Sequence, residues 1–220
     1  MKALLFDFDG TLIDSAPDIA DALNDTLASL GRPAVGEAQV RAWIGDGGRA
    51  LLGKAIDDPA LAESAWPTFT AAYEALCGQR GGVHEGVRPM LQRLRDEGVK
   101  LALLTNKESR FTHRLLQRYQ LMPAFDAIVA GDSLPVKKPD PAVVHHALRL
   151  LGGIAPQESC LIGDSVTDVR CARAAGIAVR LVRHGYPGGA LEGSDAPDAF
   201  VDHFDELVAW AAQACMASGR

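Results

Sequence analysis

The chain lacks the features of a membrane protein, a disulfide-bonded protein or a nucleic-acid-binding protein. None of its four cysteines, Cys77, Cys160, Cys171 and Cys215, has C-x-x-C spacing, so we expect core residues rather than a zinc ribbon or redox pair. No apolar run approaches the ~18 residues of a membrane span, and the N-terminus has no secretory-signal pattern. A net charge of −6 argues against a nucleic-acid surface. The composition therefore predicts a cytoplasmic protein without membrane or nucleic-acid partners. We expect a monomer or a homodimer.

Short apolar runs alternate with helical patterns along most of the chain. This alternation predicts an α/β fold in which a parallel sheet carries helices on both faces. The predicted strands are 3–8, 99–104, 127–130, 159–162 and 177–181. The predicted helices are 86–97, 108–119, 140–151 and 168–175. We therefore expect a Rossmann-like, three-layer core whose chemistry lies beyond the carboxyl ends of the strands.

The segment from Ser15 to Gly82 departs from this rhythm, because it has helical apolar stripes and no convincing strand. The stripes are Ile19, Leu23, Leu27 and Leu30; Leu51, Leu52 and Ile56; and Trp66, Phe69, Tyr73 and Leu76. We predict a small helical cap domain over residues 15–82, inserted after the first strand into an α/β core made of residues 1–14 and 83–220. The two connections are expected to act as a hinge.

Two carboxylates follow the first predicted strand directly, at Asp7 and Asp9, and Gly10 then permits a turn. Two acids one residue apart can hold a hard cation and also serve as a nucleophile and an acid/base. The alternative is a capped strand end without chemistry, and this motif alone does not decide between the two.

Polar residues also follow the second and third predicted strands. Thr105 and Asn106 can hydrogen-bond a phosphate oxygen, and the alternative is a helix cap. Lys138, restrained by neighbouring prolines, can neutralise a carboxylate and a phosphoryl oxygen together, whereas Lys137-Lys138 can also be a solvated turn.

The fourth predicted strand end carries two more acids, Asp164 and Asp168, after Gly163. These acids can converge on a metal with Asp7. Helix capping by Asp164 or Ser165 is the local alternative. Capping does not explain why four successive strand ends each carry a component of a phosphate site.

Taken in order, these four segments resemble the motifs of the haloacid dehalogenase superfamily. They read DFDGT at 7–11, LLTN at 103–106, KKPDP at 137–141 and GDSVTD at 163–168. The predicted helical insertion is similar to that superfamily's small α-helical cap. Within the superfamily, residues 42–48 and Thr105-Asn106-Lys107 most resemble the bacterial phosphoglycolate phosphatases.

The resemblance implies a Mg²⁺-dependent phosphomonoester hydrolase that works through an aspartyl-phosphate. Asp7 would be the nucleophile and a metal ligand, and Asp9 the acid/base, with its backbone carbonyl on the metal. Asp164 would complete the protein ligands, while Asp168 would order the metal waters or Lys138 from a second layer. Thr105 and Lys138 would act on the phosphoryl group as catalytic residues.

Substrate binding is assigned to five residues, with a small anionic phosphorylated metabolite as the partner. They are Gly10, Gly47, Arg49, Asn106 and Lys107. The glycine-rich segment 45–48 and Arg49 would recognise a small carboxylate on closure, or else form only a turn with Arg49 in solvent. The expected substrate is 2-phosphoglycolate. Another small phosphate, a phosphomutase reaction or a non-catalytic binding module are the alternatives.

Overall fold

The computed structural model describes residues 1–218, with side chains described for residues 1–213. The prediction for Cys215 lies outside the described side chains. Among the described helices, none is both long and apolar enough to cross a lipid bilayer. Cys77, Cys160 and Cys171 are free and buried, as expected for core residues.

Within the described residues, eight strands form two sheets. They are β1 Ala3–Phe6, β2 Ile13–Asp14, β3 Gly82–Val83, β4 Lys100–Leu104, β5 Ala127–Val129, β6 Ser159–Gly163, β7 Ala178–Val182 and β8 Ala199–Val201. Six of them make a parallel sheet in the order β5-β4-β1-β6-β7-β8, while β2 and β3 pair as a short antiparallel ribbon. Because β1 lies at the centre and β6 follows it on the other side from β4, the strand order reverses beside β1. Ligand sites in open parallel sheets lie at such a reversal.

Nine helices accompany these strands within residues 1–218. The helices are α1 Ala16–Ser29, α2 Glu37–Trp43, α3 Gly48–Ile56, α4 Pro59–Leu76, α5 Val87–Asp96, α6 Ser109–Arg118, α7 Ala142–Leu150, α8 Val166–Ala175 and α9 Phe204–Ser218. The first four lie between β2 and β3, α5 lies between β3 and β4, and α6 to α9 follow β4, β5, β6 and β8 in turn. The predicted α/β fold class is confirmed.

The central strand β1 is apolar on both sides, which is why helices cover both faces of the sheet. Leu4 and Phe6 pack into one cluster with α5, α6 and α9, whereas Ala3 and Leu5 pack into a second cluster with α7 and α8. All four side chains are fully buried. A fully buried Leu or Phe contributes about 1.5–3 kcal/mol through the hydrophobic effect. Because the side chains of β1 point alternately to the two faces of the sheet, this one strand packs against both helical layers.

The register of the sheet brings the predicted motifs together. Phe6 is aligned with Leu103 of β4 and with Ile162 of β6. The residues that follow these three positions therefore emerge at one edge, where the amide of Asp7 also donates to the carbonyl of Ile162 at 2.8 Å. Parallel pairing thus converts three distant segments into one site.

All five predicted strands and all four predicted core helices are present, with bounds that differ by at most two residues. The prediction missed β2, β3, β8 and α9. The first three are only two or three residues long, too short to show a periodic pattern. They form through pairing with neighbours that are remote in sequence.

Helices α1 to α4 form the helical insertion, the name used below for residues 15–82. Its stripe residues Leu23, Leu27, Leu52 and Phe69 are buried. The buried carboxylate of Asp18 accepts from the amides of Gly78, Arg80 and Gly81, at 2.8–3.1 Å, which ties α1 to the end of the insertion. The division into a cap and a core at these boundaries stays a prediction.

Candidate active site

A buried lysine joins two carboxylates at the centre of the site. The Nζ of Lys138 lies 2.7 Å from Asp7 Oδ1 and 2.7 Å from Asp168 Oδ1. Burial raises the pKa of Asp7 to about 7 despite the attraction of Lys138, with the charge of Asp168 adding to the rise. The two carboxylates raise the pKa of Lys138 above its usual range in spite of its burial, so the ammonium stays charged. The site thus holds a fixed cation against Asp7.

The side-chain amide of Asn106 fixes the loop that carries Lys138. Its Oδ1 accepts from the Lys138 amide at 2.9 Å, and its Nδ2 donates to the carbonyls of Lys138 and Gly45 at 3.0 and 2.9 Å. The neighbouring Lys137 is exposed and donates to the Asp46 carbonyl at 2.8 Å. The solvated-turn interpretation therefore fails for Lys138. Asn106 lines the site, but its side-chain amide is hydrogen-bonded to the backbone of Gly45 and Lys138. The sequence did not indicate these contacts.

The helix-cap alternative for Thr105-Asn106 does not describe this structure either. The N-cap of α6 is Glu108, and it makes no side-chain capping hydrogen bond. Thr105 is buried, and its Oγ1 accepts from the Lys107 amide at 3.2 Å. The hydroxyl therefore retains its own proton to donate towards a ligand.

Asp164 is held at the adjacent strand end by two donors. Thr11 Oγ1 donates to its Oδ1 at 3.0 Å, and the amide of Tyr186 donates to its Oδ2 at 2.6 Å. Gly10 has a φ of +84°, and a Cβ there would lie 2.1 Å from Asp164 Oδ2. Burial, followed by the charges of Asp7 and Asp168, raises the pKa of Asp164 well above its usual range. The chain thus concentrates negative charge at this point.

Asp168 has both oxygens engaged. Its Oδ1 accepts from Lys138, and its Oδ2 accepts from the Ser165 hydroxyl at 2.6 Å and the Ser165 amide at 3.1 Å. Ser165 in turn caps α8 in a reciprocal capping box with Asp168. The capping interpretation is therefore right for Ser165, while Asp168 serves both the helix and Lys138.

The carboxylates of Asp7, Asp164 and Asp168 fit a divalent cation. Oxygens from all three lie within 4.8 Å of one another and are buried. Carboxylate oxygens are the ligands that Mg²⁺ prefers, and one lysine does not neutralise three acids. Burial is the largest cause of the raised pKa in both Asp7 and Asp164, and the charges of neighbouring carboxylates add to it.

Asp9 lies beside this cluster and has two different oxygens. Its Oδ2 is 3.0 Å from the Nζ of Lys107, whereas its buried Oδ1 has no hydrogen-bond partner in the part of the chain that the structure describes. Lys107 is itself buried and donates to the hydroxyl of Tyr73 at 2.9 Å. One oxygen of Asp9 is therefore held and the other is free.

These groups open into a small cavity of about 50 Å³ between the core and the helical insertion. The core wall, as we call it below, consists of Asp7, Asp9, Thr105, Asn106, Lys107, Glu108 and Phe111. The insertion wall consists of Ile19, Ile44, Gly45, Gly47, Gly48, Leu51, Phe69 and Tyr73. The core wall supplies charge, whereas the insertion wall is apolar apart from backbone amides and one hydroxyl.

The two substrate-binding residues predicted in the insertion lie in different places. Gly47 lines the cavity with a φ of +92°, and a Cβ there would lie 3.1 Å from the Asn106 carbonyl. Arg49 is exposed, pairs with Glu63, and lies 4.5 Å from the ring centre of Trp66. Arg49 is not among the residues that line the cavity. The structure therefore brings together every predicted site residue except Arg49.

Sequence reasoning missed two tyrosines. Tyr73 counted only as part of an apolar stripe, yet its hydroxyl reaches Lys107. Tyr186 was not among the predicted site residues, yet its amide holds Asp164 while its hydroxyl donates to Asp14 and accepts from the amide of Ser15. The available signal was chemical, because a buried tyrosine hydroxyl normally needs a polar partner.

Known proteins resemble this chain in sequence and in fold. The family model described as "Haloacid dehalogenase-like hydrolase" matches residues 4–182. A phosphoglycolate phosphatase of Pseudomonas putida is 40% identical over 215 residues, covering 94% of this chain and 78% of the relative. One from Nitrosococcus oceani is 35% identical, covering 94% of each chain.

The solved structure of a predicted phosphoglycolate phosphatase from Haemophilus somnus superimposes with a TM-score of 0.86, at 29% identity, covering 96% of this chain and 97% of the other. The resemblance inferred from the four motifs, including its phosphoglycolate phosphatase-like branch, is confirmed. The chain belongs to the haloacid dehalogenase-like hydrolase family.

Proposed function

We propose that the protein is a Mg²⁺-dependent phosphatase whose preferred substrate is 2-phosphoglycolate. The observation that carries this proposal is the 2.7 Å pair between Asp7 and Lys138, set beside the three-carboxylate cluster and Asp9. A buried carboxylate with a fixed cation suits attack on an anionic phosphoryl group. The names of the relatives at 35–40% identity support the same substrate.

Asp7 and Asp164, with the Asp9 backbone carbonyl, would hold Mg²⁺, while Asp168 orients Lys138 from behind. Both oxygens of Asp168 already accept hydrogen bonds, which favours this supporting role. Bound Mg²⁺ would neutralise the carboxylates and the phosphoryl oxygens.

In the first half-reaction an oxygen of Asp7 attacks phosphorus and the bond to the leaving oxygen breaks. Asp9 gives a proton to that oxygen, and an aspartyl-phosphate forms on Asp7. Lys138 and the hydroxyl of Thr105 stabilise the charge on the phosphoryl oxygens. The buried setting strengthens these interactions, because water does not screen them.

In the second half-reaction Asp9 takes a proton from a water molecule as the water oxygen attacks phosphorus. The bond between phosphorus and Asp7 then breaks and phosphate leaves, so Asp7 and Asp9 return to their starting states. One acid/base thus serves both halves of the cycle.

The leaving group would bind between the two walls. Lys107 has three N–H donors, of which two face Asp9 and Tyr73, so the third can meet a substrate carboxylate. The start of α3 at Gly48 has no side-chain cap, and its free amides at the positive end of the helix suit the same anion. The small cavity volume and its single lysine both favour a compact substrate with one additional negative charge.

The deciding experiment measures kcat/KM for 2-phosphoglycolate against a panel of sugar phosphates, pyrophosphate and 4-nitrophenyl phosphate, with Mg²⁺ and with EDTA. We expect Mg²⁺-dependent hydrolysis and at least a tenfold preference for 2-phosphoglycolate. Activity without that preference would assign another small phosphate. No activity on any ester would indicate a binding module and overturn the proposal. A cytoplasmic location, which rests on composition, and a monomeric or homodimeric state are proposed with it.

A further inference from the structure

Tyr73 belongs to the helical insertion, yet its hydroxyl reaches the acid/base of the core through one lysine. It accepts from Lys107 Nζ at 2.9 Å, and the same Nζ lies 3.0 Å from Asp9 Oδ2. Tyr73 and Lys107 are 2% and 7% exposed, so water does not compete for these contacts. The chain of contacts thus runs from α4 across the cavity to Asp9.

The ring of Tyr73 is held independently of its hydroxyl. It stacks on Phe69 of α4, with centroids 6.0 Å apart and planes 3° apart. It also meets the edge of Phe111 of α6, with centroids 4.8 Å apart. One aromatic neighbour comes from the insertion and the other from the core. Removing the hydroxyl alone would therefore leave the packing of the ring intact.

The contact with Lys107 distinguishes the two oxygens of Asp9. Oδ2 is held by the ammonium, and the buried Oδ1 has no hydrogen-bond partner among the described residues. A proton-transferring oxygen must be free to reach the leaving group, whereas its partner oxygen can be anchored. The long side chain of Lys107 has many rotamers. A second contact, in addition to Asp9, is needed to hold it in one of them, and the Tyr73 hydroxyl supplies that contact.

We propose that Tyr73 is a positioning residue: from the helical insertion, it holds Lys107 on Asp9 Oδ2, so that Oδ1 faces the leaving oxygen and later the attacking water. The acid/base is then complete only when the insertion lies against the core. This inference rests on the proposed phosphatase function. It assigns the tyrosine no contact with the reacting atoms.

The test is Tyr73→Phe, assayed on an alkyl phosphate and on an aryl phosphate with Mg²⁺. For 2-phosphoglycolate the leaving oxygen must receive the Asp9 proton, whereas the phenolate of 4-nitrophenyl phosphate leaves without one. We expect kcat/KM to fall about tenfold or more for 2-phosphoglycolate and less than threefold for 4-nitrophenyl phosphate. Tyr119→Phe, at a half-buried tyrosine that does not line the cavity, is the matched control and should change neither.

A second signature comes from the hydrolysis of the aspartyl-phosphate, which needs Asp9 as a base for either substrate. In Tyr73→Phe the kcat for 4-nitrophenyl phosphate should therefore fall while its kcat/KM holds, and a burst of 4-nitrophenol should precede steady turnover. Lys107→Met breaks the same link from its other end and should show the same burst with 4-nitrophenyl phosphate, which has no carboxylate for Lys107 to bind, including when Tyr73→Phe does not fold.

Equal losses of kcat/KM for both esters would overturn the inference, because a general packing role predicts them. A loss of kcat/KM confined to 2-phosphoglycolate, without a burst on 4-nitrophenyl phosphate, would also overturn it, because that pattern shows that Tyr73 only places Lys107 on the substrate carboxylate. Unchanged kinetics for both esters would overturn it as well. A wild-type protein that hydrolyses neither ester would instead remove the proposed function. The two failures are therefore distinguishable.

Discussion

The two walls of the cavity differ in charge and in the kind of element that supplies their residues. The core wall is charged, and its groups follow the ends of parallel strands, so sheet register places them. The insertion wall is apolar, and its groups come from helices joined by loops, so packing places them. In the proposed function, the core wall carries the reacting groups and Lys107, while the insertion wall closes the space in which the leaving group binds. Sheet register thus places the reacting groups, and helix packing shapes the rest of the cavity.

The adjacent lysines Lys137 and Lys138 give the sharpest test of this contrast. Lys138→Met would leave Asp7 and Asp168 buried without their shared cation, since its Nζ lies 2.7 Å from each. We expect kcat/KM to fall about 10³-fold and the free energy of unfolding to fall by about 3 kcal/mol or more. Phosphatase kinetics and urea denaturation measure the two effects.

Lys137→Met is the control, because Lys137 is exposed and its Nζ donates to a backbone carbonyl of the insertion rather than to a buried carboxylate of the site. We expect less than a threefold change in kcat/KM. Similar losses in the two variants would contradict the distinction between a buried core cation and a surface contact.

Gly10 tests how tightly the chain packs around Asp164, a proposed metal ligand. In Gly10→Ala a Cβ would lie 2.1 Å from Asp164 Oδ2, and the φ of +84° adds strain. Displacement of a ligand group should raise the Mg²⁺ concentration for half-maximal activity about tenfold or more. A Mg²⁺ titration of the activity measures this shift.

Gly98→Ala is the matched control for Gly10→Ala. Gly98 has a similar φ of +76°, but a Cβ there meets nothing within 4 Å. We expect a loss of about 1 kcal/mol in stability and an unchanged Mg²⁺ dependence. An unchanged Mg²⁺ dependence in both variants would show that Asp164 is less constrained than the close approach implies.

His84 tests the junction between the two regions, since it follows β3 and its amide donates to the Leu12 carbonyl at 3.0 Å. Burial, together with the neighbouring His184, lowers the pKa of His84 from 6.5 to about 4. Between pH 4 and pH 6.5 the unfolded chain binds more protons at His84 than the folded chain does. The contribution of neutral His84 to the free energy of unfolding is therefore complete above about pH 6.5 and declines as the pH falls towards 4.

The measurement compares the urea unfolding of the wild type and His84→Gln at pH 7 and pH 5. After a discount for partial solvent exposure, we expect the wild type to lose about 1 kcal/mol more than the variant over this interval. Parallel losses in the two proteins would show that His84 titrates normally in the folded state.

Arg49 gives the smallest expected effect. Its side chain pairs with Glu63 and lies over Trp66 on the surface of the insertion, and exposed pairs contribute about 0–1 kcal/mol. We expect Arg49→Ala to change KM and kcat for 2-phosphoglycolate by less than threefold. A tenfold rise in KM would show that Arg49 reaches the substrate and would restore its predicted binding role.

The polar and charged groups that the core supplies to the site were predictable, because their signals are local in sequence. Asp7, Thr105, Lys138 and Asp164 each follow a strand, and parallel strands bring their carboxyl ends to one edge. The insertion wall was less predictable, because a helical stripe shows which face is buried and not what that face contacts. Arg49 and Tyr73 illustrate the limit, since the charged residue lies at the surface and the residue assigned to packing reaches the site.

The sequence by itself determined the family, the α/β architecture, and the acids and Lys138 of the site. Residue type, strand pattern and motif order suffice for these. Only the tertiary structure decided how these groups pair. It placed Lys138 between Asp7 and Asp168, paired the side-chain amide of Asn106 with the backbone of Lys138, and linked Tyr73 to Lys107. Pairing depends on distances of about 3 Å between side chains remote in the chain. Such distances follow from packing and register, which no local pattern encodes.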